Sequence, residues 1–104
     1  VSMTAYRLLR RAAEEIAPHD PGRALEILTF AGEAASMASD ADAEVELGEL
    51  ARALPTGDGL EERFLVDLLV GLAHHFAGDP VAAARLLPDK VLDIAIAQTL
   101  RVAN

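Results

Sequence analysis

The strongest constraint on the fold of this chain is a turn at Gly78-Asp79-Pro80, which divides two apolar stretches within residues 66–87. Gly78 can end a helix because glycine has no Cβ to oppose a left-handed backbone. Asp79 can cap the next helix, since its carboxylate accepts hydrogen bonds from the free N–H groups of the first turn. Pro80 suits the first helical position, where a missing N–H is no loss. Residues 66–87 are therefore predicted to form a helical hairpin.

Small residues flank this turn at the points where two helices of a hairpin approach each other. Gly71 lies eight residues before Asp79, and Ala83 lies four residues after it. Gly32 is another glycine in the middle of a predicted helix. Glycine in a helix interior costs about 1 kcal/mol relative to alanine. We therefore expect close helix–helix packing at Gly32 and Gly71 to compensate for that cost.

Aspartates that can cap helices recur at positions 20, 40, 58 and 79, close to one for every twenty residues. Asp20-Pro21 repeats the arrangement of aspartate and proline, and Asp58 has the capping-box spacing to Glu61. The first predicted helix covers residues 4–17, the second begins at 20–21 and the third begins at 39–40. The fourth covers residues 60–77 and the fifth covers residues 81–87. Residues 89–100 suit a helix, although their β-branched residues also allow a strand, and the neighbouring helices favour the helix.

Helical periodicity then predicts which residues form the core. The second helix is apolar round most of its circumference, so we expect it to lie between the first and third helices. The predicted buried leucines are Leu25, Leu28, Leu47, Leu50, Leu68, Leu69 and Leu72. We also expect Phe30, Met37 and Phe64 in the core. The residues expected to face water on the third helix are Glu44, Glu46, Glu49 and Arg52.

A length of 104 residues indicates one domain, spanning residues 1–104. The predicted fold is all-α, an array of five or six antiparallel helices. The net charge of −8 opposes direct nucleic-acid binding, and without cysteine there is no disulfide or thiolate site. No apolar run has the length of a membrane span. Because the chain does not begin with Met, we expect a fragment of a larger protein, with residues 1–3 derived from the vector.

Few side chains suggest chemistry. His74 and His75 with Asp79 could form a metal site, but adjacent helical residues point about 100° apart. Histidines at a partly exposed helix end are the favoured interpretation. The glutamate pairs, such as Glu14-Glu15 and Glu61-Glu62, could serve acid–base chemistry, but solvated helix faces account for them better. We therefore assign no catalytic, cofactor-binding or metal residue, and we do not expect an enzyme.

Alignment of the chain on Asp20, Asp40 and Asp79 reveals a pattern. The residues eight positions earlier are Ala12, Gly32 and Gly71, and those four positions later are Ala24, Glu44 and Ala83. This pattern resembles the tetratricopeptide repeat, which implies an α-α superhelix. Glu44 departs from it, and the aromatic anchors and the 34-residue period of that repeat are missing.

Residues 6–88 also resemble the helical region of large actinobacterial LuxR-type regulators. The segments that carry the resemblance are RLLRRAAEEIAPHDPGRALEIL, AGEAASMASDADAEVELGELARALP and LLVGLAHHFAGDPVAAARLL. In that family an ATPase module precedes the helical repeats and a helix-turn-helix domain follows them. Neither motif is in this chain, so the resemblance implies a cytoplasmic module that binds protein partners or neighbouring domains, without direct nucleic-acid or membrane contact. The alternative is a free-standing adaptor with no transcriptional role. We also expect a homodimer, formed through the first helix or residues 91–100.

Overall fold

Turns rich in aspartate, proline and glycine separate the helices of the chain. The computed structural model describes residues 2–57 and 59–103. The helices are α1 (Ser2–Ile16), α2 (Pro21–Met37), α3 (Ala41–Ala53), α4 (Leu60–Phe76), α5 (Pro80–Leu86) and α6 (Asp89–Ala103). The described residues form no strand, so the all-α prediction is confirmed, and the segment after Pro88 is helical.

Three of the predicted aspartate caps are formed. Each carboxylate accepts a hydrogen bond from the backbone N–H three residues later, at 3.0, 3.0 and 3.1 Å for Asp20, Asp40 and Asp79. Pro21 and Pro80 occupy the first positions of α2 and α5. The predicted cap Asp58 lies outside the described residues. Helix α4 follows Gly59, which makes no side-chain capping bond.

The helices pack as a slab. Helix α1 packs along α2 and α3 along α4, while α2 also contacts α3 and α4. Helix α5 covers part of α4, and α6 packs against α5. The extents are 42 × 32 × 18 Å, and the shortest corresponds to two layers of helices. Helix α2 lies between α1 and α3, as its nearly continuous apolar surface predicts.

The core is built largely of alanine and leucine around α2. Four of the predicted leucines are buried, namely Leu25, Leu28, Leu47 and Leu69. Leu50, Leu68 and Leu72 are only half-buried. The prediction was wrong for Phe30, Phe64 and Met37, which are 58, 51 and 79% exposed. Phe30 and Met37 lie seven residues apart on the one face of α2 that no helix covers, and α5 is too short to reach Phe64.

Backbones approach most closely at two glycines. A Cβ on Gly71 would lie 2.6 Å from Leu87 Cδ2, so α5 can pack there only because Gly71 has no side chain. A Cβ on Gly48 would lie 2.3 Å from the Cβ of Ala73, at the contact of α3 with α4. Gly32 is looser, since its Cβ would lie 3.5 Å from Leu69 Cδ2, an ordinary van der Waals distance.

Two predictions about the polar face of α3 were wrong. Glu44 is 2% exposed instead of facing water, and Glu46 is half-buried because α1 lies over it. Glu49 and Arg52 are exposed as expected. On α1, Ala12 is exposed, because the buried face of that helix is centred on Tyr6 and Ala13.

Candidate functional site

The candidate site is the cleft between α1 and α3, with α2 at its base. Its apolar half, which we call the apolar cleft, lies at the C-terminal ends of the two helices and has a volume of about 210 Å³. The lining residues are Ala13, Glu14, Ala17, Leu28, Leu50, Ala53 and Leu54. Leu28 is buried, while Leu50 and Leu54 are half-buried. Small alanines on both walls leave a recess that can receive an apolar side chain.

The other half of the cleft is polar and joins α1 to α3. The Tyr6 hydroxyl and Arg10 Nη1 both donate to Glu46 Oε1, with Arg10 at 2.5 Å. Tyr6 itself is 3% exposed, and the Arg10 guanidinium carbon lies 5.8 Å from the centroid of its ring. This triad connects residues 36 and 40 positions apart in the chain.

The triad shifts the acidity of its members. The hydrogen bonds from Tyr6 and Arg10 lower the pKa of Glu46. Burial, together with the hydrogen bond to Glu46, raises the pKa of Tyr6, and the contact with Glu46 raises the pKa of Arg10. Glu46 is therefore held as a carboxylate and Tyr6 as a neutral phenol, so both partners keep the forms that hydrogen-bond each other.

Arg10 has one unused donor. Its Nε is buried without a hydrogen-bond partner and lies 3.7 Å from Glu14 Oε1, beyond the usual length of a hydrogen bond. A buried N–H without an acceptor is costly. Arg10 lines the polar half of the cleft and Glu14 the apolar half, so this donor lies near the boundary between them.

Glu44 is a second polar group with an unusual environment. Its Oε1 accepts a hydrogen bond of 3.1 Å from the Ser36 hydroxyl of α2. Burial and, to a smaller extent, the nearby charge of Asp40 raise the pKa of Glu44 to about 7. The Ser36 bond opposes that change. Near neutral pH this carboxyl therefore exists in both protonation states.

The aligned turn positions now have a structural meaning. The residue four positions after each capping aspartate is buried in all three copies, with Ala24 and Ala83 at 0% exposure and Glu44 at 2%. Of the residues eight positions before each capping aspartate, Gly32 and Gly71 are buried but Ala12 is exposed. Gly78, the first residue of the predicted turn, has a φ of +86°.

The histidine pair and its aspartate are not brought together as a metal site. The Asp79 carboxylate caps α5, and the ring of His75 contacts Phe76 edge to face, with centroids 4.9 Å apart. Within residues 2–57 and 59–103, no group of three or more His, Cys, Asp or Glu side chains could hold a metal ion. None of the helices in that part of the chain is long and apolar enough to cross a bilayer.

Sequence reasoning missed Tyr6, Arg10 and Gly48. Tyr6 lies three residues before Leu9 and seven before Ala13, so the helical period places it on the buried face. Gly48 has the same mid-helix position that drew attention to Gly32 and Gly71. The pairing of Tyr6 and Arg10 with Glu46 had no sequence signal, since it depends on how α1 and α3 lie together.

No protein-family model matches the chain, and no curated protein or solved structure is significantly similar to it.

Proposed function

We propose that this chain is a protein-interaction and regulatory module, a tetratricopeptide-like helical array within a larger, signal-responsive LuxR-type transcriptional regulator. The observation that supports it most is the apolar cleft between α1 and α3. An open recess of small apolar residues suits the insertion of an apolar side chain from a partner or a neighbouring domain.

The polar groups beside the recess support the same function. The partly exposed side chains of Arg10 and Glu14 line the two halves of the cleft and can pair with charged groups of a partner. The triad of Tyr6, Arg10 and Glu46 holds α1 against α3, so the walls of the cleft are fixed before a partner arrives. A preformed site loses less conformational entropy on binding than a flexible one.

The genomic reading frame that contains this sequence tests whether the parent protein is a regulator of this type. A phosphate-binding loop upstream and a helix-turn-helix downstream are the expected findings. A start codon at Met3 together with a stop codon after Asn104 would favour the free-standing adaptor instead.

The cleft is tested in the intact protein by filling it. Ala53 is exposed on the rim of the cleft and Ala84 is exposed on α5, away from it. Ala53→Trp should block the recess and abolish the transcriptional response to the effector, while the matched Ala84→Trp should leave it intact. An unchanged response with both variants would rule out the cleft as the interaction site.

A further inference from the structure

The first half of α4 carries an apolar surface that its neighbours leave open. Leu60 and Phe64 lie four residues apart, hence on one face of the helix, and are 87 and 51% exposed. Gly71 lies on the same face, seven residues after Phe64, where Leu86 and Leu87 pack over it. The face of α4 is therefore covered at its C-terminal half and uncovered at its N-terminal half.

An acidic cleft adjoins this surface. It has a volume of about 330 Å³ and lies between the N-terminal parts of α2 and α4. The residues that line it are Asp20, Gly22, Arg23, Glu26, Glu61, Glu62 and Leu65. Four carboxylates thus face one guanidinium, and that guanidinium is 3.4 Å from Glu26. Glu61 lies three residues before Phe64, so the two side chains are neighbours on the surface of α4, and the acidic and apolar surfaces meet there.

We propose that this α4 platform, formed by Leu60, Phe64 and the acidic cleft beside them, docks a basic amphipathic helix of a partner protein. The apolar side chains of such a helix would cover Leu60 and Phe64. Its lysines or arginines would lie in the cleft against Glu26 and Glu61.

Charge selects this occupant. An acidic cleft on a protein of net charge −8 attracts a cationic segment, and it repels a nucleic acid or the same acidic cleft of a second copy. Exposed apolar side chains beside it require an occupant with an apolar face. A basic amphipathic helix satisfies both conditions, and helices of this kind commonly bind in apolar grooves.

The platform is separate from the cleft of the proposed function. Glu26 lines the acidic cleft and Leu28 lines the apolar cleft. Two residues apart on a helix, they point about 200° away from each other. The two clefts therefore open on opposite sides of α2. A binding experiment at the α4 platform can fail while the proposed function of the apolar cleft still holds, and the reverse is also true.

The test uses the whole chain and a fluorescein-labelled peptide of leucine and lysine. A length of about 14 residues gives four turns of helix with all the leucines on one face. Fluorescence anisotropy should show saturable binding that weakens with added salt. A peptide with glutamate in place of lysine, and one with serine in place of leucine, should both fail to bind.

Two matched pairs of variants locate the binding site. Glu61→Gln and Leu60→Ala should each weaken the affinity about tenfold, as expected for residues at the centre of an interface. Glu49→Gln on α3 and Met37→Ala at the C-terminal end of α2 remove a carboxylate and an apolar side chain from exposed positions elsewhere, and should leave the affinity unchanged. The double variant Glu26→Lys, Glu61→Lys should instead bind the peptide of leucine and glutamate.

Three results would overturn the proposal. Equal losses with Glu49→Gln and Glu61→Gln would mean that net charge alone attracts the peptide. Equal binding of the peptide that lacks leucine would remove the role of Leu60 and Phe64. Sedimentation showing a dimer that Phe64→Ala dissociates would assign the platform to a second copy of the chain.

Discussion

Glu44 occupies a position that the other two aspartate-capped helices of the alignment give to alanine. Ala24 and Ala83 fit there because a methyl group fills the contact between neighbouring helices. A carboxyl group at this place must lose its hydration, and the bond from the Ser36 hydroxyl replaces only part of it. The structure therefore carries an ionisable group in its interior, at the junction of α2 and α3.

This residue should make stability depend on pH. The pKa of Glu44 rises from 4.5 to about 7 on folding, so the folded state binds the proton more tightly than the unfolded state. The contribution of Glu44 to stability is then fully present below pH 4.5 and is lost as the pH rises through 7. The full difference is on the order of 3 kcal/mol.

Glu44→Gln should remove this dependence, because an amide keeps an acceptor for Ser36 and carries no charge. Urea unfolding at about pH 5 and about pH 8 measures it. The wild-type chain should be more stable at the lower pH, and the variant should be nearly equally stable at both. Glu49→Gln, which removes an exposed carboxylate from the same helix, should behave as wild type. A wild-type chain without this difference would contradict the prediction.

At the scale of the helices, the residues two positions after the ends of α2 and α4 differ in conformational freedom. Ser39 and Gly78 each precede a capping aspartate and have φ angles of +54° and +86°. The N–H of the following aspartate bonds back to the carbonyl of Ala35 in one turn and of His74 in the other. The geometry is the same, but only Gly78 adopts it without steric strain.

Ser39→Gly should therefore stabilise the chain by up to about 1 kcal/mol. Relief of the left-handed strain outweighs the greater freedom of glycine in the unfolded state. Thermal unfolding should show a higher Tm. A lower Tm would mean that interactions of the Ser39 side chain matter more than backbone strain.

Substitutions of the glycines at helix contacts should change the stability of the chain to different degrees. Gly71→Leu should destabilise by about 1–3 kcal/mol, because it forces Leu86 and Leu87 away from α4. Gly48→Ala should also destabilise, since its methyl group would overlap Ala73.

Gly32→Ala provides the matched control for these contacts. Its methyl group has room, and alanine favours the helix by about 1 kcal/mol. Denaturant unfolding of the three variants should therefore give losses at positions 71 and 48 and no loss at position 32. An unchanged Tm for Gly71→Leu would contradict the packing explanation.

At the scale of the whole molecule, exposed apolar residues predict self-association. Leu8 on α1 is 63% exposed, and Ile94 and Ile96 on α6 are 58 and 43% exposed. Such surfaces are commonly contact sites. We expect a symmetric dimer through α1 or through residues 91–100. Sedimentation equilibrium at micromolar concentration should detect it, and Leu8→Ser and Ile94→Ser should show which helix is responsible. A monomer across that range would contradict the prediction.

The charge and sequence of the whole chain also predict whether it binds nucleic acids and nucleotides. With a net charge of −8 and no phosphate-binding loop in the sequence, the chain should bind neither DNA nor ATP. A gel shift with duplex DNA and a titration with labelled ATP measure this. Tight, salt-sensitive binding of the duplex would contradict the charge argument.

The sequence by itself determined the helices and the turns. Capping bonds at Asp20, Asp40 and Asp79 act over three residues, and a proline or glycine ends or begins a helix through its own backbone. These are local effects, so they can be read without knowing which helices meet. Helical spacing also indicated that Glu44 is buried, because it lies three residues before Leu47 and seven before Ala51. Its charge had led us to expect a solvent-exposed position.

Only the tertiary structure decided what lies between the helices. The Tyr6 and Arg10 side chains meet Glu46 because α1 and α3 both pack on α2 and face each other across the cleft. No local pattern specifies that arrangement. Phe64 is exposed because α5 ends before it reaches that turn of α4. Periodicity shows that a face is apolar, but whether another helix covers that face depends on the lengths and positions of the helices around it.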